Sequence, residues 1–423
     1  MAIPKAKRYI LDFEQLGLGL FIHWGLYSQI GQGEWIWFSS EEEIKREDYV
    51  KLKDTFTAED FDADELVRTA KEAGFRYITL TTRHHEGFSL YDTCGLNEFD
   101  APHSGARRDL IREFVDACNK YDVKPFFYHT TIDWWHKDFQ FREHGSKESF
   151  PDYIEYLHKS VELLCKNYGK IGGLWFDGNW WDKNADWKED ELYSIIRKYQ
   201  PEAMIVNNTG MGERGKTGHP EIDSVTFENG QAEPMKRDGM EKYIAAEMCQ
   251  TMNDHWGIGF GDINYKSPAE LIKSLCNCRK VGANYLLNTG PEAQGRINPM
   301  QREIISSIGR WMNMFGEAIY NGRPYKCKSI GDNFILKSVD GKFLYIFVYS
   351  LGSKGNENVI VGKNYTGAYA FDLMQDEVES VEWMDDGRKL KFIQGDGMLA
   401  VKFGGYEYGT SYVVRVAKAK IKK

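Results

Sequence analysis

Gly172-Gly173-Leu174-Trp175-Phe176-Asp177-Gly178 feeds small and apolar residues into a short strand that ends on a carboxylate flanked by Trp175, Phe176, Trp180 and Trp181. Burying a carboxylate among indoles is costly, and sites that process sugars build such surroundings because sugar rings lie flat on aromatic faces. Alone, the run reads as a turn aspartate after a strand. Other apolar runs, however, also end on polar residues: His23, His84-His85, His129, Asn207-Asn208, Glu228 and Asn288. Asp177 and Glu228 are the only carboxylates in that set. Two carboxylates about 5–5.5 Å apart suit a retaining glycosidase, one attacking the anomeric carbon and the other protonating the departing oxygen. The histidines can hydrogen-bond sugar hydroxyls, or His23, His84, His85 and His129 can hold a metal with Asp177. Adjacent His84 and His85 argue against the metal, because neighbouring strand residues face opposite ways. Trp24, Trp35, Trp37, Trp134, Trp175, Trp256 and Tyr128 are together candidates for pocket walls, though each taken singly reads as core.

Positioning such residues at one mouth requires strands that all point the same way. Apolar runs at 18–23, 77–82, 125–129, 172–177, 204–207, 224–228, 256–260 and 284–288 alternate with amphipathic stretches. Leu110, Ile111, Phe114, Val115 and Cys118 repeat at helical spacing. Ser267-Pro268-Ala269-Glu270 is a capping box that opens a helix which Gly282 can close. About eight strands alternating with helices imply a closed parallel (β/α)8 barrel over residues 1–323, with its chemistry at the C-terminal strand ends. After Pro324 the texture changes. Runs at 330–338, 343–349, 359–361, 378–384, 390–393 and 412–416 read as strands, with Asp340-Gly341, Asp386-Gly387 and Asp396-Gly397 as hairpin turns. Residues 324–423 are expected to form a small antiparallel β-sandwich.

The 423 residues carry 54 Lys and Arg against 63 Asp and Glu, a net charge of −9 that argues against nucleic-acid or anionic-membrane partners. No apolar run approaches the roughly 18 residues of a membrane span, and Met1-Ala2-Ile3-Pro4-Lys5 lacks the apolar core of a signal peptide. Seven irregularly spaced cysteines argue against a disulfide framework, so a cytoplasmic, reduced setting is expected. Gly257-Ile258-Gly259-Phe260-Gly261 lacks the strand–helix context of a dinucleotide site. Residues 39–43 read as a solvated loop and helix start, and Lys418–Lys423 as a solvated end.

Taken together, these segments resemble the α-L-fucosidases of glycoside hydrolase family 29. Phe21-Ile22-His23-Trp24-Gly25-Leu26-Tyr27-Ser28 is similar to that family's opening strand, and Glu34-Trp35 to its sugar-contacting pair. Tyr77 to Phe88 resembles its tandem-histidine segment, with Glu86 in place of the usual Asp. Leu174-Trp175-Phe176-Asp177 resembles the nucleophile strand, and Asn284 to Pro291 the closing strand. The resemblance implies Asp177 as nucleophile, with His23, Glu34, Trp35, His84, His85 and Tyr128 binding fucose and Trp175 close by. Residues 223–228 align with the acid/base segment, hence Glu228, with Glu213, Glu221 and Glu247 as competitors. Two departures stand out: Asn207-Asn208-Thr209 where an arginine is usual, with Arg214 as a substitute, and His129 where a small residue is common. The expectation is a retaining exo-α-L-fucosidase acting on fucosylated glycans, with neither cofactor nor metal; a homo-oligomer is left open. A metal-dependent hydrolase on the same barrel and a catalytically silent fucose-binding protein are the rivals.

Overall fold

The computed structural model describes residues 3–40, 44–208, 217–349, 351–353 and 367–422. Residues 41–43, Thr209, Glu213, Arg214 and the expected strand at 359–361 lie outside the described residues. The chain divides into two compact units, Met1–Lys266 with Asn284–Ile305, and Ser267–Ala283 with Ser306–Lys423.

The first unit holds a closed barrel of eight strands in chain order: β1 Leu18–Ile22, β2 Tyr77–Arg83, β3 Lys124–Thr130, β4 Gly173–Asp177, β5 Met204–Asn207, β6 Ser224–Glu228, β7 Ala245–Thr251 and β8 Asn284–Thr289. Each runs parallel to its predecessor, and β8 pairs with β1 to close the ring. These strands are buried along almost their whole length, which is why most read as continuous apolar runs.

The seventh strand corrects the expectation. It is Ala245–Thr251, whereas 256–260 lies in the loop that follows it. Glu247 and Gln250 interrupt the apolar pattern of the true strand, and the barrel interior supplies the partners that make Glu247 tolerable there. Tyr77 donates its hydroxyl to Glu247 Oε2 at 2.5 Å, and the Trp175 indole N–H donates to Oε1 at 3.0 Å. Around this carboxylate pack Phe21, Phe126, Tyr128, Met204, Val206 and Leu286. Gly19 on β1 leaves room for Tyr77; an added Cβ would overlap the tyrosine ring.

The second unit contains two antiparallel sheets. One has the order β10 (Lys328–Ser329), β13 (Ala368–Asp372), β16 (Met398–Lys402), β15 (Lys391–Gly395). The other has β14 (Val378–Trp383), β17 (Arg415–Ile421), β12 (Phe343–Val348), β11 (Phe334–Ser338), β9 (Gly322–Pro324). Their core includes Leu344, Ile346, Phe371, Val381, Trp383, Leu399 and Val401. Asp396 and Gly397, at φ 49° and 74°, turn β15 into β16 as a tight hairpin. Asp386-Gly387 joins strands that belong to different sheets. The basic tail is also a correction, because most of it is strand. Ala417 and Ala419 are buried while Lys418 and Lys420 pair with Glu317 and Glu379 at 2.8 and 2.9 Å, the period-two pattern of a half-buried strand. The helix Pro268–Val281 keeps its expected caps, Ser267 accepting from the Glu270 amide and Gly282 closing at φ 84°. Among the described residues no helix is long and apolar enough to cross a membrane.

Because Gly19 faces a tyrosine ring in a closed barrel, Gly19→Ala is an overpacking substitution, expected to cost about 1–3 kcal/mol of stability. Urea unfolding of the variant checks this; an unchanged midpoint would mean that Tyr77 is not confined as described.

Candidate active site

Asp177 is the last residue of β4, and its backbone carbonyl accepts from the Thr131 amide at 2.7 Å and the Thr131 hydroxyl at 2.9 Å. Gly178 follows at φ 118°, and a Cβ there would lie 2.8 Å from Thr131 Oγ1, so the turn needs glycine on both counts. The turn carries Trp180 back over the carboxylate. The Trp180 indole N–H donates to Asp177 Oδ1 at 2.7 Å, and the Tyr128 hydroxyl donates to Oδ2 at 3.1 Å. His85 Nε2 stands 3.5 Å from the same oxygen, with Nδ1 2.7 Å from the Thr130 hydroxyl. Burial works to raise the Asp177 pKa. The hydrogen bond and charge of His85, then Trp180 and Tyr128, outweigh it and hold the group below the usual aspartate range.

Glu228 ends β6 and experiences the opposite balance. Burial first, and then the charge on Asp177, push its pKa up to about 7, opposed by hydrogen bonds from the Asn208 amide, at 2.7 Å, and from Trp256. Two carboxylates on one cavity thus have their pKa values pushed in opposite directions by their surroundings.

His23 and His84 are neutral donors and acceptors. Burial drives His23 down to about 3, and pushes His84 well below the ordinary histidine value. His23 Nδ1 lies 2.7 Å from Asn288 Oδ1, while the Asn288 amide donates to the Trp256 carbonyl at 2.7 Å. With that amide orientation His23 carries its proton on Nδ1, leaving Nε2 free to accept. His84 and His85 both line the cavity, although adjacent, because β2 ends at Arg83 and strand alternation stops there.

The cavity encloses about 200 Å³ and brings together His23, Trp35, His84, His85, Tyr128, Trp175, Asp177 and Glu228. Phe21, Trp180, Asn208, Cys249 and Trp256 complete its lining. Glu34 is absent from the lining; its Oε2 accepts from the Trp256 and Gly257 amides at 3.1 and 2.7 Å and so fixes the loop that carries Trp256. Glu86 does similar work behind the histidines, accepting from the Leu26 and Tyr27 amides at 2.9 and 3.3 Å and from the Tyr49 hydroxyl.

One expectation is corrected, and two competitors of Glu228 have partners elsewhere. His129 faces away from the mouth: its ring nitrogens lie 2.9 Å from Thr82 Oγ1 and 2.9 Å from Ser160 Oγ on the helix Phe150–Asn167, because Tyr128 takes the inward position and alternation sends its neighbour outward. Glu221 is paired with Arg197 at 2.9 Å, before β6 begins. Glu247 is engaged on both oxygens below Trp175. Trp24, Trp37 and Trp134 are fully buried core residues. Among the described residues, no three His, Cys, Asp or Glu side chains are placed to share one ion. Sequence reasoning named Trp180 among the aromatics flanking Asp177 but not as a hydrogen-bond donor to its carboxylate. It missed Cys249 because it misplaced β7. Asn208 was visible at its strand end, and it supplies the donor that faces Glu228.

A folded Glu228 pKa of about 7, against an ordinary 4.5, has a stability consequence. Between those values the folded state keeps a proton that the unfolded chain has lost, so stability falls as pH rises through the window. Glu228→Gln removes the ionisation. The variant is expected to be more stable than the parent at pH 8, with the advantage shrinking towards pH 4. Urea midpoints across that range check it; an advantage growing as pH falls would contradict the balance described.

With this geometry established, the similarities are informative. The sequence model described as alpha-L-fucosidase matches residues 5–317. A putative α-L-fucosidase of Caenorhabditis elegans is 28% identical over 385 residues, spanning 85% of this chain and 74% of the relative. Human tissue α-L-fucosidase is 27% identical over 335 residues, spanning 74% and 70%. The structure of α-L-fucosidase isoenzyme 1 from Paenibacillus thiaminolyticus superposes with a TM-score of 0.84 at 29% identity, covering 98% of this chain and 99% of that one. A family 29 α-L-fucosidase from Bacteroides thetaiotaomicron shares the fold with a TM-score of 0.82 at 22% identity, covering 100% and 96%. The chain belongs to the α-L-fucosidase family of glycoside hydrolases, family 29.

Proposed function

We propose that the protein is a retaining, exo-acting α-L-fucosidase that removes terminal α-L-fucose from fucosylated glycans. The observation that carries this reading is the placement of Asp177 and Glu228 on one small cavity, with hydrogen-bond donors gathered on Asp177 that Glu228 lacks. Asp177, kept charged, attacks C1 and gives a β-linked fucosyl ester, while Glu228, holding its proton near neutrality, delivers it to the departing oxygen. Glu228 is then a carboxylate and takes a proton from the water that attacks C1, so the α configuration is restored. The cavity has the scale of one sugar ring, which supports removal of a terminal residue. Neutral His23 and His84 offer donors and acceptors to hydroxyls, and Phe21, Trp175, Cys249 and Trp256 supply an apolar wall for the C6 methyl group. The reading includes a reducing, cytoplasmic setting, supported by seven unbridged cysteines.

The direct test follows the first-formed product anomer by NMR. α-Fucose is expected; β-fucose would mean inversion and end the assignment of Asp177 as nucleophile.

A second test separates the carboxylates. Asp177→Ala is expected to lose several orders of magnitude in hydrolysis with every leaving group. Glu228→Ala loses roughly 10²–10⁴-fold on a natural sugar aglycone, the range for general acid catalysis. Its first step on an activated aryl fucoside is much less affected, and azide then speeds turnover to give α-fucosyl azide. Azide with the Asp177 variant attacks substrate directly and gives the β anomer. If Glu228→Ala shows neither leaving-group dependence while Glu213→Ala does, nor azide rescue, the acid/base role belongs to Glu213.

A further inference from the structure

The loops after β3 and β4 enclose a second cavity of about 590 Å³, nearly three times the first, with Phe139, Phe150, Ile154, Trp181 and Trp187 in its walls. Two consecutive tryptophans line one cavity each. Trp180 lines the first cavity and donates to Asp177; Trp181, next in the chain, lines the second, with 6.3 Å between the ring centroids. Trp181 stands 6.4 Å from Phe139, and Phe150 stands 5.2 Å from Trp187. The Trp187 indole N–H is bound to the Asp182 carbonyl at 2.9 Å, which fixes that ring. The Trp181 indole N–H has no protein acceptor among the described residues and is left for a ligand hydroxyl. The polar rim is balanced in charge: Lys147 and Lys188 face Asp182 and Asp186, and Lys188 already pairs with Asp186 at 2.7 Å. Flat aromatic walls with an uncharged balance of hydrogen-bonding groups match the apolar ring faces and hydroxyl edges of a neutral saccharide.

We propose that this second cavity is the subsite for the glycan behind the fucose, taking the rings of a neutral oligosaccharide. The proposal rests on the fucosidase reading above. Rings held far from the breaking bond are bound equally in ground and transition states, so the gain appears in KM and leaves kcat nearly unchanged. A third cavity, of about 530 Å³, borders Trp180 as well, but its walls carry Lys183, Glu189, Asp190 and Glu191. It has the wrong chemistry for ring faces and is the alternative exit for the test.

Steady-state kinetics on an aryl α-L-fucoside and on oligosaccharides of one linkage, with fucose on one, two or three neutral sugars, decide the matter. KM of the parent enzyme is expected to fall about tenfold from one sugar to three, with kcat within about twofold. Trp181→Ala and Phe150→Ala should each lower the kcat/KM ratio of the longest substrate over the aryl fucoside by about tenfold, while Trp181→Phe keeps most of it. The fucose-free trisaccharide should inhibit the parent competitively and these alanine variants more weakly. The subsite is overturned by the absence of length dependence in the parent, or by a dependence that survives both alanine variants. It is equally overturned by a dependence lost on Lys183→Ala instead. A parent enzyme that cleaves no α-L-fucoside at all strikes the fucosidase reading itself, and the subsite falls with it.

Discussion

Asp177 is a carboxylate only 14% exposed whose pKa is held below the usual aspartate range, and the donors that hold it there come from three separate parts of the chain. Trp180 arrives from the turn after β4, Tyr128 from β3, and His85 from the segment after β2. Each donor is itself held. Trp180 depends on a turn anchored through Thr131, His85 on Thr130, and Tyr128 on its stacking against Trp175, with centroids 5.6 Å apart and planes 22° from parallel. Trp175 in turn is pinned by Glu247 in the barrel interior. The site therefore inherits its geometry from strand register; a slip of one residue would turn Tyr128 outward and His129 inward.

Glu228 shows what happens to a neighbouring carboxylate without that circle of donors. Burial and the charge of Asp177 hold a proton on it, and the Asn208 amide opposes them. The same functional group thus has its pKa pushed in opposite directions because the surroundings differ, and the asymmetry lies in the number and placement of the hydrogen-bond donors. Glu247 makes the point a third time. Burial raises its pKa to about 7, with hydrogen bonds from Tyr77 and Trp175 opposing, and it serves as a brace beneath the cavity floor.

Much of the barrel was legible because parallel strands buried on both faces leave continuous apolar runs, and their polar ends mark the mouth. Seven of the eight strands announce themselves this way. The seventh does not, because Glu247 and Gln250 break the pattern, and only a barrel interior offering Tyr77 and Trp175 as partners makes that sequence a strand. The apolar run at 256–260 misleads for the complementary reason: it packs as loop, tied to Glu34 through the Trp256 and Gly257 amides. In the second unit, β13 and β16 were missed, and the lysines of the last strand concealed the alanines between them.

By itself, the sequence determined where carboxylates, histidines and indoles fall relative to strand ends, since that depends on local hydrophobic pattern and turn residues such as Gly178. The resemblance to family 29 rested on the same local segments. The tertiary structure decided which of those residues share a cavity. It sent His129 outward and tied Glu34 to the Trp256 and Gly257 amides, and it brought Trp180 and Asn208 onto the two carboxylates. It also decided their protonation, because burial and hydrogen-bond partners contributed by distant strands act on a carboxylate only once the barrel has closed.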